Sequence, residues 1–238
     1  MRRCDGCVVL GFPRWRFGQG KDQFALSTEY NHYEGALAHT LRLPLLTLVQ
    51  KGVERRVVFD RSFGGYVGTI PANPSMSWLK TPEFQVPFKY WKHELAARRD
   101  VFLGYCSASS RVAKKVKTFL ETELQLRVLD WATDFDPARS ILQQIEEASR
   151  RCGAGVFLFT KDDTLAKAAS KAPAVPRDNV VFEAGFFSAQ KGKERVLIAL
   201  QSGAKMPADL GGDIYASLQE NGKIDSIKPV LSKFAEAL

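Results

Sequence analysis

The fold is decided by residues 155–200, where GVFLFT (155–160), NVVFEAGFFSAQ (179–190) and RVLIAL (195–200) follow one another. The first and last runs are short and apolar, which is typical of strands buried on both faces of a sheet. The middle run is long enough for a helix, and Asp178 can cap its first turn. A strand, a helix and a second strand in this order predict a parallel βαβ unit.

The same alternation continues toward the N-terminus. The runs VFLGY (101–105) and LRVLDW (126–131) predict two further strands. Residues 107–120 and 141–148 place apolar side chains at helical spacing and predict the intervening helices. These elements predict a doubly wound parallel sheet over residues 99–238.

Ligand contacts are expected at one edge of this sheet. Ligands bind doubly wound sheets beyond the carboxyl ends of the strands, so the loops after residues 105, 131 and 160 should lie together. The third of these loops is long, polar and rich in Ala, and it spans residues 161–177.

Residues 1–71 carry a shorter form of the same pattern, with strands expected at 7–12 and 45–49 and a helix at 30–41. We interpret this region as a partial α/β unit. A connector over residues 72–98 follows. Its prolines are expected to break any long element, with a short helix over residues 88–99 leading into the second unit. Its aromatic residues favour packing against a domain over a free linker; they are Trp78, Phe84, Phe88, Tyr90 and Trp91.

Composition narrows the classes of partner. The net charge is +8, but the basic residues are scattered and mostly close to acids, so we expect no nucleic-acid partner. No apolar run is long enough to cross a membrane, and the N-terminus lacks the apolar core of a signal peptide, so we expect a cytoplasmic protein. Cys4 and Cys7 lack a second pair of ligands, so we expect no metal and interpret the cysteines as small buried side chains.

Four ordered motifs carry a family resemblance. They are TKDD (160–163), RDNVVFEAGFF (177–187), GKERVLI (192–198) and MPADLGGDIY (206–215). Together they resemble the bacterial TIR-like "predicted nucleotide-binding" domain of cyclic-nucleotide antiphage effectors, which include the TIR–STING and Pycsar proteins. The likeness covers about residues 100–238, and it departs from the family at Lys161, where proline is common.

The resemblance implies a flavodoxin-like TIR fold with a five-stranded parallel sheet. It also implies NAD+ glycohydrolase activity, with NAD+ as substrate and no cofactor, and a catalytic glutamate at Glu183. Implied substrate contacts fall on the loops after the first two strands and within the shared motifs: Tyr105, Ser107, Trp131, Asp134, Asp162, Arg177 and Asn179.

The chemistry of N-ribosyl cleavage fits a single carboxylate. Asn179 and Glu183 are four residues apart, so they share one face at the start of the predicted helix. Positive charge grows on the ribose in the transition state, and a fixed carboxylate can stabilise it. The nicotinamide leaves as a neutral molecule, so no general acid is needed.

Each of these residues also has a structural interpretation. Glu183 is favourable near a helix N-terminus whatever its chemistry. Asp162 can cap a turn, and Trp131 can belong to the core instead of forming a stacking surface. Arg177 can bind a substrate phosphate or pair with a neighbouring acid.

Three functions therefore remain open. The first is an antiphage NAD+ glycohydrolase activated by homo-oligomerisation or by a cyclic nucleotide or other phosphorylated messenger. An exposed Phe135 in the loop 132–138 would favour self-association, and the first unit would be regulatory. The second is a non-catalytic TIR-like nucleotide-binding or scaffold module. The third is an enzyme like the nucleoside deoxyribosyltransferases, because Glu34-Gly-Ala followed by Pro44-Leu-Leu is similar to that group, so the first unit is either TIR-like or deoxyribosyltransferase-like.

Overall fold

The structure is a computed structural model that describes residues 4–63, 67–164, 174–212 and 214–238. The chain forms two units, Met1–Arg98 and Arg99–Leu238. The aromatic segment 72–98 is part of the first unit. Most of the expected loop at 161–177 falls on residues 165–173, which lie outside the described residues.

A small parallel sheet forms the first unit. In chain order its elements are β1 (Cys7–Gly11), β2 (Trp15–Phe17), β3 (Phe24–Leu26), α1 (Glu29–Thr40), β4 (Leu45–Gln50), β5 (Val67–Ile70) and α2 (Pro82–Ala97). Short 3-10 turns lie at Gly20–Asp22, Val57–Phe59, Arg61–Phe63 and Met76–Lys80. The parallel strands have the order β1-β4-β5, and β2 pairs with β3 as an antiparallel hairpin. The expected partial α/β unit is confirmed.

The proline-rich segment forms a longer helix than the short one expected over residues 88–99. Helix α2 begins at Pro82 and continues through Pro87, which is buried. A proline inside a helix costs about 3 kcal/mol because it removes a hydrogen bond and crowds the preceding turn. Here the segment packs its aromatic residues onto one face of the sheet, and this burial offsets that cost. The contacts join Trp78, Phe84, Phe88 and Trp91 to Leu46, Leu48 and Ile70.

A larger parallel sheet forms the second unit. Its elements are β6 (Arg99–Gly104), α3 (Ser110–Thr118), β7 (Val128–Asp130), α4 (Trp131–Asp134), α5 (Ile141–Arg151), β8 (Cys152–Phe159), β9 (Asp163–Thr164), β10 (Ala174–Val175), α6 (Asp178–Lys191), β11 (Val196–Gln201), β12 (Ile214–Leu218) and α7 (Lys228–Glu236). A π-helical turn at Phe119–Glu123 extends α3, and 3-10 turns lie at Ser107–Ser109, Lys193–Arg195 and Ala208–Leu210. The five parallel strands have the order β12-β11-β8-β6-β7. This order confirms the expected flavodoxin-like fold.

Two apolar layers cover the faces of this sheet. One contains Val101, Leu103, Val116 and Leu231, and so lies under α3 and α7. The other contains Phe102, Phe157, Ile145 and Phe187, and so lies under α5 and α6. Strands β8 and β11 are almost entirely buried, which explains their unbroken apolar runs.

The start of α6 differs from the prediction. Asp178 was expected to cap the helix, but it is the first helical residue, and Arg177 holds the N-cap position without a side-chain cap. The carboxylate of Asp162 instead accepts a hydrogen bond from the backbone N–H of Arg177, at 3.3 Å. A residue distant in sequence therefore does what the local pattern assigned to Asp178.

The strand order fixes where a ligand can bind. Strands β6 and β8 are neighbours, and the chain leaves them for opposite sides of the sheet, toward β7 and β11 respectively. The crevice at the carboxyl ends of such a strand pair is the usual binding site of the fold. Within the described parts of the chain, no helix combines the length and apolar character needed to span a bilayer.

Candidate active site

A cavity of about 640 Å³ opens at the carboxyl ends of β6 and β7, on the side of the sheet covered by α5 and α6. This size is typical of small-molecule sites. It brings together most of the residues that the sequence predicts as a site: Tyr105, Ser107, Trp131, Arg177, Asn179 and Glu183. Segments far apart in the chain therefore form one concave surface.

Glu183 lies in the second turn of α6 with its carboxyl turned inward. The side chain is buried among the apolar residues of the helix, which include Val180, Ala184 and Phe187. Its Oε2 atom has no hydrogen-bond partner among the described residues. Burial raises the pKa of Glu183 from 4.5 to about 8, because the charged form loses its hydration. A buried, unpaired carboxyl inside a cavity is a common sign of a functional group.

The N-terminal turn of α6 forms the rim of the cavity. Arg177 and Asn179 are both exposed and both line it. Asn179 and Glu183 are one helical turn apart and face the same space, as their spacing predicts. The rim is therefore polar and carries a cation, while the depth of the cavity holds the carboxyl.

An aromatic wall stands opposite α6. The hydroxyl of Tyr105 donates a hydrogen bond to Oδ1 of Asp130 at 2.8 Å, and burial followed by this bond raises the pKa of Tyr105. The Nε1–H of Trp131 donates to the backbone oxygen of Tyr105 at 2.9 Å, and the two ring centroids are 5.4 Å apart. Trp131 thus belongs to the edge of the core and to the cavity at once. Asp130, which holds this wall and also contacts Lys117, was not among the predicted residues.

Two predicted contact residues do not line the cavity. Oδ2 of Asp134 accepts a hydrogen bond from the backbone N–H of Asp130 at 2.8 Å, within its own loop. Oδ1 of Asp162 accepts from Oγ1 of Thr160 and from Sγ of Cys106, both at 2.8 Å. Both carboxylates accept hydrogen bonds from the protein itself, so for Asp162 the structural interpretation fits its placement better than a substrate contact.

The loop after β7 contributes more of the cavity than the sequence predicted. Phe135 was expected to be exposed, but it is half-buried, because its ring lies over Phe102 at a centroid distance of 6.0 Å. Gln144 is buried and ties the loop to α5 through the backbone of Asp136 and Arg139. A polar residue at a core-facing position of a helix is the signal that could have revealed this role. The further lining residues are Cys106, Ala132, Asp136, Pro137, Arg139, Ile141 and Val180.

Gly104 leaves the space that the Glu183 carboxyl occupies. A Cβ atom at this position would lie 2.4 Å from Cδ1 of Phe157 and 2.9 Å from Oε2 of Glu183. We expect Gly104→Ala to destabilise the second unit by about 1–3 kcal/mol, because the ring must move within a packed core. Urea denaturation of both proteins measures this loss, and equal midpoints would contradict it. Gly185→Ala is the matched control, because a Cβ there meets no atom within 4 Å.

The cysteines and Glu34 are the other candidate groups that the sequence offers. Among the described residues, no three His, Cys, Asp or Glu side chains come together to hold a metal ion. Cys106 and Cys152 are buried as expected. Cys4, which precedes β1, is exposed, and Cys7 is half-buried because β1 lies at the edge of its sheet. Glu34 is exposed on α1, unlike Glu183.

Comparison with known proteins agrees with this geometry. Residues 100–220, about half of the chain, match the family described as CAP12/Pycsar effector protein, TIR domain. A CD-NTase-associated protein 12 from Flavobacterium daejeonense is 33% identical over 113 residues, 47% of this chain and 35% of the relative. One from Sphingobacterium faecium is 26% identical over 147 residues, 58% of this chain and 45% of the relative. The Pycsar effector protein BcPycTIR of Burkholderia cepacia is 35% identical over 80 residues, 33% of this chain and 26% of the relative.

The matched region spans less than half the length of each of these relatives. The region matched by the family, residues 100–220, begins within β6, ends just beyond β12 and contains every residue that lines the cavity. The fold, the motifs and the family match concern the same part of the molecule, and the chain belongs to the CAP12/Pycsar effector TIR-domain family.

Proposed function

We propose that the second unit hydrolyses the bond between nicotinamide and ribose in NAD+, with Glu183 as the catalytic carboxylate. The observation that carries the proposal is the Glu183 carboxyl, because Glu183 is buried, lines the cavity and has an oxygen without a hydrogen-bond partner among the described residues. The charged form of a buried, unpaired carboxyl destabilises the folded protein. A bound substrate that carries positive charge would offset this cost.

The reaction requires little beyond this carboxylate. As the bond between C1′ of the ribose and the nicotinamide nitrogen lengthens, its electron pair moves to the ring, which leaves as neutral nicotinamide. Positive charge develops on the ribose, and an ionised Glu183 stabilises it. Water then adds at C1′ and releases a proton, so that the products are nicotinamide, ADP-ribose and H+.

The remaining lining residues suit the other parts of NAD+. Trp131 and Tyr105 offer ring surfaces against which a flat base can pack. Arg177 and Asn179 at the rim, together with Ser107, supply a cation and polar groups for phosphate and ribose oxygens. We include these residues in the proposed substrate-binding set, while Asp134 and Asp162 fall outside the cavity.

The acidity of Glu183 predicts a pH-dependent rate. The group must be ionised to stabilise the transition state, and its pKa in the empty protein is about 8. We expect kcat/KM for NAD+ to fall about tenfold for each pH unit below 8, because kcat/KM reports ionisation in the free enzyme. Initial rates of nicotinamide release between pH 5.5 and 9.5 measure the profile. A rate that stays constant from pH 6 to pH 9 would exclude Glu183 as the ionising group.

The family match supports a role as an effector protein. We propose that the chain acts in antiphage defence and that its partners are further copies of itself and a cyclic nucleotide or related phosphorylated messenger. The names of the relatives, CD-NTase-associated protein 12 and Pycsar effector protein, support this context. We propose the first unit as the regulatory part. Its Glu34, on α1, is exposed, unlike Glu183. Because Phe135 is half-buried, self-association has no support from that residue.

The direct test is release of nicotinamide from NAD+ by the full chain. Protein concentration is varied over a wide range, with and without a panel of cyclic mononucleotides and dinucleotides. Equimolar ADP-ribose identifies hydrolysis. A chain that binds NAD+ in calorimetry but never turns it over would favour the scaffold function. Transfer of deoxyribose between nucleobases, assayed in parallel, would favour the transferase.

A further inference from the structure

A cluster of hydrogen bonds that includes the cavity-lining Cys106 has Asp162 at its centre. Its Oδ1 accepts from the hydroxyl of Thr160 and from the thiol of Cys106, each at 2.8 Å. Oγ of Ser109 lies 2.6 Å from Oγ1 of Thr160 and extends the cluster to the start of α3. Thr160 and Ser109 are buried, and Asp162 is half-buried. The cluster therefore joins the ends of β6 and β8 to each other.

The other carboxylate oxygen of Asp162 reaches α6. Oδ2 accepts the backbone N–H of Arg177, the N-cap residue, at 3.3 Å. The backbone N–H of Asp162 also donates to the carbonyl of Val175 at 3.1 Å. Arg177 has no side-chain cap of its own, so the carboxylate supplies both an acceptor and a negative charge at the positive end of the helix. The start of α6 is thus fixed to the end of β8.

The position of Glu183 depends on this attachment. Glu183 follows Arg177 by six residues, about 9 Å along the helix axis. Since no hydrogen bond holds its Oε2 among the described residues, the carboxyl is located only by packing and by the placement of α6. It lies close against the end of β6, where even one added carbon at Gly104 would contact it. A shift of the helix would move the carboxyl directly.

We propose that Asp162 is a positioning residue that holds α6 against β6 and β8 and thereby places the Glu183 carboxylate. The inference rests on the proposed function for its kinetic consequences. This positioning role replaces the substrate contact that the family resemblance implied for Asp162. A displacement of about 1 Å at a reacting group can cost about a hundredfold in rate, so a residue outside the cavity can have a large effect.

The test compares Asp162→Asn with Asp178→Asn in the full chain. The Asn side chain has nearly the same shape, but its NH2 group would face the N–H of Arg177 or the two donors on Oδ1. We expect kcat for NAD+ to fall about 10–100-fold with KM changed less than about threefold. Asp178→Asn removes a charge from the same helix end, where Asp178 is exposed, and should change neither constant by more than about threefold.

A second readout separates this inference from the proposed function. Burial raises the pKa of Glu183, with no charged neighbour contributing, so loss of a distant charge alone should not change it. In an NMR titration of carboxyl-labelled protein, we expect the Glu183 pKa to fall by about one pH unit or more in Asp162→Asn, as water reaches a displaced carboxyl, and to stay constant in Asp178→Asn.

Each outcome of these measurements supports or overturns the positioning role of Asp162. A raised KM with unchanged kcat would assign Asp162 to substrate binding and overturn the proposal, as would unchanged kinetics and an unchanged Glu183 pKa. If the wild type never cleaves NAD+, the proposed function fails and the titration alone tests the positioning role. If Asp162→Asn does not fold, Thr160→Val, which removes one of the two donors on Oδ1, should give a smaller change in the same direction. No change in that variant would also overturn the proposal.

Discussion

Glu183→Gln is expected to lower nicotinamide release from NAD+ by about 10²–10³-fold or more while the protein remains folded. Glutamine keeps the shape of the side chain but removes the negative charge that stabilises the ribosyl cation, and loss of one preorganised group at a reacting centre commonly costs this much. No hydrogen bond to Oε2 is broken among the described residues, so the fold has no contact to lose there.

The comparison is made at matched protein concentration by chromatography of nicotinamide, with circular dichroism as the check on folding. Glu34→Gln is the control, because Glu34 is also a helical glutamate but is exposed on α1. It should retain wild-type turnover. Near wild-type activity in Glu183→Gln would refute the assignment of Glu183. An equally inactive Glu34→Gln would instead make the first unit part of the catalytic site.

The same substitution should change how stability depends on pH. The folded-state pKa of Glu183, about 8, lies above its ordinary value of 4.5. A raised carboxyl pKa leaves the folded state undisturbed below pH 4.5, and stability is lost progressively as the pH rises through 8. At 1.36 kcal/mol per pH unit the full loss amounts to about 4–5 kcal/mol by pH 9. The glutamine in Glu183→Gln does not ionise, so the variant does not lose this folding free energy as the pH rises.

Urea denaturation of wild type and Glu183→Gln at pH 5, 7 and 9 measures the effect. The expected result is a difference in the free energy of unfolding that grows with pH in favour of the variant. Any constant cost of burying an amide is the same at each pH and cancels from this trend. Glu34→Gln should follow the wild type at all three values. Parallel pH dependences for wild type and Glu183→Gln would show that the buried carboxyl imposes no such penalty.

The strands of the second unit could be predicted because burial on both faces leaves unbroken apolar runs, as in β8 and β11. The last strand, Ile214–Leu218, was not recognised, since it lies at the sheet edge and alternates exposed residues such as Tyr215 with buried ones. Helix α2 was predicted only in part, as a short helix over residues 88–99, for a different reason. Proline predicts a break locally, whereas tertiary packing of aromatic side chains overrides it.

The candidate site, too, could be predicted from the sequence only in part. Glu183 could be proposed from its motif, and five other predicted residues line the same cavity because strand ends converge at one edge. The sequence could not show that Asp162 turns toward Thr160 and Cys106, or that Asp130 supports Tyr105. Those arrangements join residues from different strands, and a local pattern carries no information on which partner a carboxylate will choose.

The cavity draws its walls from segments at 105–107, 131–144 and 177–183, which the fold unites only at the sheet edge. During synthesis from the N-terminus, the proposed site cannot exist until the last of these segments has left the ribosome. Incomplete chains that lack the last segment would therefore lack the proposed site. If the second unit hydrolyses NAD+ as proposed, this dispersed construction withholds that activity until synthesis of all three segments is complete.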